Sequence, residues 1–152
     1  MELADGSLYK GDFNKGMIEG QGVYKWNNGK QYNGNWLTSK MNGFGKLTWP
    51  DGVEYVGMFE NDKFNGQGQY RWNDGKTYIG GWIAGKQHGE GKLINGVKIK
   101  FGTWNMGNRQ GPWIKEIEES VNLNSEMESN LGGSLLSGYP GTFSKQKSLI
   151  SR

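Results

Sequence analysis

Several things are scarce in this sequence, and each scarcity excludes something. There is no cysteine, so disulfides and thiol chemistry are excluded and the redox compartment is left open. There is one histidine, His88, with no motif around it, so a Ser-His-Asp arrangement has little to stand on. No apolar run approaches the ~18 residues of a membrane-spanning helix. Met1 to Lys10 shows neither a basic stretch nor an apolar one, so no signal peptide is expected and a cytoplasmic location is the default. Hydrophobic residues make up only 34% of the chain, low for a thick packed core. The formal net charge of +3 is mild; it permits an anionic partner without demanding one.

What is present is glycine and aromatic side chains. The 152 residues include 27 Gly, 7 Trp, 7 Tyr and 6 Phe, too many rings for a disordered composition. They are spaced by a rule. Tyr9, Tyr32, Tyr55 and Tyr78 lie 23 residues apart. Gly11, Gly34, Gly57 and Gly80 follow two residues later, and Phe13, Trp36, Phe59 and Trp82 two after those. Gly20, Gly43, Gly66 and Gly89 keep the step, as do Gly22, Gly45, Gly68 and Gly91. A fixed period in the range of roughly 20–50 residues signals a repeat architecture. Such arrays offer extended surfaces more often than single catalytic pockets.

Each unit contains two alternating segments. Tyr32, Gly34 and Trp36 share one parity; Gly43, Gly45, Leu47 and Trp49 share another, opposed by Phe44, Lys46 and Thr48. Period-two alternation places each set on one face of a strand. Asn28-Gly29, Asp51-Gly52 and Asp74-Gly75 fall between strands, where such dipeptides make tight turns with positive φ. Each unit is therefore expected to be a β-hairpin, and the units together an all-β fold: a single-layer, twisted antiparallel sheet. At about 10 Å per hairpin the array extends on the order of 50 Å. The glycines on the aromatic parity give rings room to lie over the backbones of adjacent strands. Asp5-Gly6 matches the end of a preceding unit, so the array opens mid-repeat, either as part of a longer array or with its first residues as an edge strand.

These residues resemble the MORN repeat, Y-x-G-x-W-x-x-G-x-x-x-G-x-G. Tyr78, Gly80, Trp82, Gly85, Gly89 and Gly91 meet it almost fully. The same pattern starts at Tyr9, Tyr32 and Tyr55, and a fifth copy, shifted by one residue, keeps Gly102, Trp104, Gly107, Gly111 and Trp113. Ser39 and Asp62 depart from the mid-loop glycine. The resemblance spans about residues 5–113 and implies stacked hairpins with an aromatic groove. It also implies a scaffold in a cytoskeletal, ciliary or membrane-associated assembly, or an accessory portion of a larger enzyme such as a phosphatidylinositol-phosphate kinase. Phospholipid binding, self-association and capture of a helix in the groove are the partner modes it suggests.

Two sets of side chains carry those expectations. The groove set is Tyr9, Phe13, Trp26, Tyr32, Trp36, Trp49, Tyr55, Phe59, Trp72, Tyr78, Trp82 and Trp104. These rings either hold the sheet together or receive a partner, since one sheet has no second layer to cover them. The second set is Lys40, Lys63 and Lys86, which keep the period, with Arg109 in the flanking unit. They read either as solvated loop lysines or as a row meeting acidic phospholipid headgroups at about 1 kcal/mol each. Asp12, Glu19, Glu60 and Glu90 interrupt the basic field. The repeat phase accounts for the aromatics better than single-stranded nucleic acid does, so no nucleic-acid partner is expected. Exposed edge strands allow a homodimer.

No catalytic, cofactor or metal site is expected. The Gly-x-Gly sequences precede strands rather than helices, and Asp51 and Asp74 are turn residues one repeat apart. After the array, Ile114, Ile117 and Val121 recur at i, i+3 and i+7 among Lys115, Glu116, Glu118 and Glu119. That spacing predicts a short amphipathic capping helix over 114–123. Residues 124–152 read as a flexible Ser/Asn/Gly-rich tail ending in Lys145, Lys147 and Arg152.

Overall fold

The computed structural model describes residues 1–119. Ten strands follow one another: β1 (Leu8–Asn14), β2 (Met17–Lys25), β3 (Gln31–Leu37), β4 (Lys40–Thr48), β5 (Glu54–Glu60), β6 (Lys63–Arg71), β7 (Thr77–Ile83), β8 (Lys86–Asn95), β9 (Lys98–Asn105) and β10 (Asn108–Glu118). Their order in space is their order in sequence, and every pairing is antiparallel. The fold is the single open sheet of hairpins that the repeat predicts. Among the described residues it has no helix and no second layer.

Two kinds of turn alternate along it. At one edge, two-residue turns join the strands of each hairpin, with Lys15-Gly16, Thr38-Ser39, Asn61-Asp62, Ala84-Gly85 and Met106-Gly107 all at positive φ. Paired positive φ is the turn that matches the right-handed twist of a hairpin. Ser39 and Asp62 hold this conformation without being glycine, and each adds a bond that glycine cannot make. The Ile18 N–H donates to Ser39 Oγ at 3.1 Å, and the Met41 N–H donates to Asp62 Oδ1 at 2.8 Å. Both bonds tie a turn to the hairpin before it. At the opposite edge are the wider Asx-Gly turns. Their Asn28, Asp51 and Asp74 side chains accept the N–H of Lys30, Val53 and Lys76, the self-capping that makes Asn and Asp turn residues.

The first residues repeat the same turn. Asp5 Oδ1 accepts the Ser7 N–H at 2.9 Å, Gly6 N–H donates to the Leu3 carbonyl, and Glu2 bridges to Leu8. The junction between the fourth and fifth hairpins is shorter than the others. Asn95 pairs directly with Lys98 across Gly96-Val97, which accounts for the one-residue shift of the fifth copy.

The helix expected at 114–123 is corrected over its first five residues. Ile114 to Glu118 continue β10. A strand puts Ile114 and Ile117 on opposite faces, so the helical spacing gives way here to partners on β9. Ile117 faces Ile99, and Glu116 and Glu118 reach Lys100 and Lys98 at 3.5 and 3.6 Å. Residues 120–123 of that segment, and all of the tail expected beyond it, lie outside the described residues.

Candidate functional site

Alternation sends every Tyr-x-Gly-x-aromatic segment to one face. Tyr9, Tyr32, Tyr55 and Tyr78 are fully buried there, with at most 2% exposure, although only one layer of sheet lies beneath them. The burial comes from the glycines. Each tyrosine ring lies across a facing glycine pair such as Gly34 and Gly45. Each hydroxyl then donates to the backbone carbonyl three residues on, Tyr32 to Asn35 at 2.8 Å and Tyr55 to Met58 at 2.9 Å. Burial raises the Tyr32 hydroxyl pKa, helped by the nearby Asp62 carboxylate, and pushes Tyr78 up to about 12.

The rings between tyrosines complete a chain of edge-to-face contacts. Tyr32 meets Trp36 at 5.0 Å and Phe59 at 5.1 Å; Tyr55 meets Phe59 at 5.0 Å and Trp82 at 5.5 Å; Tyr78 meets Trp104 at 4.9 Å. Trp36 and Trp82 are buried, and their indole N–H groups donate to Gly22 and Gly68 of the preceding hairpins. At roughly 0.5–1.5 kcal/mol per ring pair, this ladder is a principal stabilising element of the array. Eight rings of the groove set therefore belong to the fold: the four tyrosines, Trp36, Phe59, Trp82 and Trp104.

The other four are reachable. Phe13 lies on edge strand β1 and is 48% exposed. Trp26, Trp49 and Trp72 occupy the last aromatic-face position before each Asx-Gly turn, one hairpin apart, and are half-buried. Tyr24 and Tyr70 stand beside them, with ring centroids 4.6 Å from Trp26 and 4.9 Å from Trp72. Lys30 lies over Trp26 at 4.5 Å and Lys76 over Trp72 at 5.1 Å, so the row has amphipathic rims. The periodic reading passed over Phe64, which stacks on Tyr55 at 3.8 Å. Its equivalents are Ile18, Met41 and Gln87, so composition varies at a position whose place on the aromatic face the period does reveal.

Lys40, Lys63 and Lys86 open β4, β6 and β8 and are exposed, as expected of a row. They project from the face opposite the aromatics. Lys40 pairs across from Leu37 and Lys86 from Ile83, apolar side chains that are 48% and 42% exposed. Arg109 does not join them. It faces Trp104 in register, and its guanidinium lies 4.4 Å from the Trp113 ring on the aromatic face. The one-residue deletion before β9 puts Asn108 where the row would continue.

His88 accepts the Met106 N–H through Nδ1 at 3.2 Å, holding the last tight turn as Asn65 holds that of Ala84. Among the described residues no group of three His, Cys, Asp or Glu could hold a metal ion, and no helix is long and apolar enough to cross a membrane.

Comparison with known proteins agrees with this geometry. A family model described as MORN repeat matches residues 9–31, 32–54, 55–77 and 78–96, the same four periods that the buried tyrosines begin. Phosphatidylinositol 4-phosphate 5-kinase 1 of Oryza sativa subsp. japonica is 40% identical over 47 residues, 31% of this chain. The match spans 6% of that kinase.

Proposed function

The chain belongs to the MORN-repeat family, and we propose that it is a non-enzymatic scaffold that receives a protein partner, in helical form, on its aromatic face. The observation that carries this reading is the row of Trp26, Trp49 and Trp72. These rings are half-buried on a face that no second layer of the described residues covers. Trp and Tyr are the side chains that dominate interface energetics, and an amphipathic helix laid across strands presents apolar anchors at matching intervals. The buried ladder beneath supplies a rigid platform, so binding need not pay to order the receiving surface.

A second reading is favoured by the tight-turn edge. There Leu37 and Ile83 stand exposed beside Lys40 and Lys86, a combination suited to an acidic phospholipid surface. The matched rice protein is, by its name, a kinase of a phosphatidylinositol phosphate, which also keeps open an accessory role within a larger enzyme. Proximity labelling in cells separates the two surfaces. The first reading expects neighbours that are lost with Trp26→Ala/Trp49→Ala/Trp72→Ala and kept when Lys40, Lys63 and Lys86 are reversed together to Glu. Salt-resistant sedimentation with phosphoinositide vesicles, abolished by the lysine reversal and indifferent to the tryptophans, would put the lipid reading in its place.

A further inference from the structure

The register of the sheet creates a row on its other face that no single repeat displays. One position from each strand aligns across all ten, from Lys10 on β1 to Lys115 on β10. Four members are lysines: Lys10, Lys46, Lys92 and Lys115. Between them stand Val23, Val56, Ile79 and Phe101, each half-buried, with Asn33 and Gln69 completing the row. It holds no carboxylate. Beside it on the same face, Glu54 is shared by Lys46 at 3.5 Å and Arg71 at 3.2 Å, and Asp12 and Glu90 stand two residues from Lys10 and Lys92, so the four lysines and Arg71 outnumber three acids.

We infer that this row is a second docking surface, for an extended acidic polypeptide segment carrying interspersed aliphatic residues. Charge complementarity selects an acidic occupant, and the valines and isoleucine between the lysines select aliphatic side chains. The row crosses nine strand spacings, about 43 Å, and adjacent strands rotate by roughly 20° each. A winding row of that length suits a segment that can follow it better than a flat membrane. Single-stranded nucleic acid needs aromatic platforms for its bases; this row offers Phe101 alone, because alternation sends the repeat aromatics to the far side. The surface is independent of the aromatic face, so the two could hold different partners.

The test is fluorescence anisotropy on the full chain with a labelled twenty-residue peptide of repeating Glu-Ser-Val-Asp. An isomer with Lys replacing the acids, a twenty-nucleotide oligo-dT and phosphatidylserine vesicles serve as comparisons. The acidic peptide is expected to bind preferentially and to weaken with salt. Lys10→Gln/Lys46→Gln/Lys92→Gln/Lys115→Gln is expected to lose at least tenfold in affinity, while the same four changed to Arg retain binding. The Trp26→Ala/Trp72→Ala variant leaves it unchanged. Equal binding of peptide to wild type and to the folded Gln variant overturns the inference, as does preference for oligo-dT or vesicles. Loss in the tryptophan variant alone would assign the acidic peptide to the aromatic face and overturn it too.

Discussion

Gly34→Ala is the sharpest test of the account given for the buried tyrosines. A Cβ on Gly34 would lie 2.5 Å from the Gly45 Cα, 2.6 Å from the Phe44 carbonyl oxygen and 2.7 Å from the Tyr32 hydroxyl. Ordinary contact begins near 3.4 Å, so the shortfall approaches 1 Å against the β4 backbone and a pinned ring. Tyr32 cannot turn aside. It is fully buried, bonded to the Asn35 carbonyl, and wedged between Trp36 and Phe59. The strands must part or the ring must leave. Overpacking of this kind costs about 1–3 kcal/mol. Loss of the tyrosine hydrogen bond adds ~1 kcal/mol, and each lost edge-to-face contact ~0.5–1.5 kcal/mol. The expected total is on the order of 3–5 kcal/mol, a fall in Tm of at least roughly 12 °C. The control is Gly52→Ala, in an Asx-Gly turn at φ +92° with nothing within 4 Å of the added carbon. It carries only the left-handed backbone penalty of about 1–2 kcal/mol. Urea unfolding followed by far-ultraviolet circular dichroism compares the two. If Gly34→Ala is no worse than Gly52→Ala, rings over glycine backbones are not what closes this sheet.

Three further outcomes follow from the same geometry. Asp62→Ala should destabilise the chain by about 1–2 kcal/mol, because it loses the bond to Met41 while keeping positive φ, whereas Asp62→Gly sheds the strain and stays within about 1 kcal/mol of wild type; equal effects in thermal melts would contradict this. Trp36→Phe should cost only about 1 kcal/mol, the indole bond to Gly22, since Phe59 already fills the equivalent place one hairpin on, while Trp36→Ala costs ~3–5 kcal/mol; a Phe variant as unstable as the Ala variant in urea would refute it. The raised pKa of Tyr78, about 12 against an ordinary 10.0, with Tyr32 and Tyr9 raised alongside, fixes an alkaline limit. The folded sheet holds these protons more tightly than the unfolded chain, so their contribution is intact below pH ~10 and is lost as pH climbs through ~12. Absorbance at 295 nm should therefore show their phenolates forming together with loss of the sheet; phenolates forming near pH 10 in an intact sheet would count against it.

How much of this was legible in the sequence depends on whether a feature lives inside one repeat or between repeats. The 23-residue step of Tyr, Gly and Trp fixed hairpins, turns and the common face, because alternation and turn chemistry are local. It did not sort structural rings from reachable ones. Tyr32 and Trp49 share a face, yet only Tyr32 lies across a glycine pair of the facing strands, while Trp49 stops at the hairpin edge. The segment after Trp113 failed for a related reason. Ile114, Ile117 and Val121 carry a helical spacing, and nothing local says that Ile99 awaits Ile117 on β9, or that Lys100 and Lys98 await Glu116 and Glu118. Arg109 was misplaced by one residue missing from a turn thirteen positions earlier. The lysine row of the opposite face is the extreme case. Lys10 and Lys115 are separated by nearly the whole array, and only the accumulated register of nine strand pairs brings them into line. A strict repeat advertises what it copies. What it builds by stacking unlike residues at equivalent positions appears only once the strands are paired, and in this chain that is where its polar face acquires a chemistry of its own.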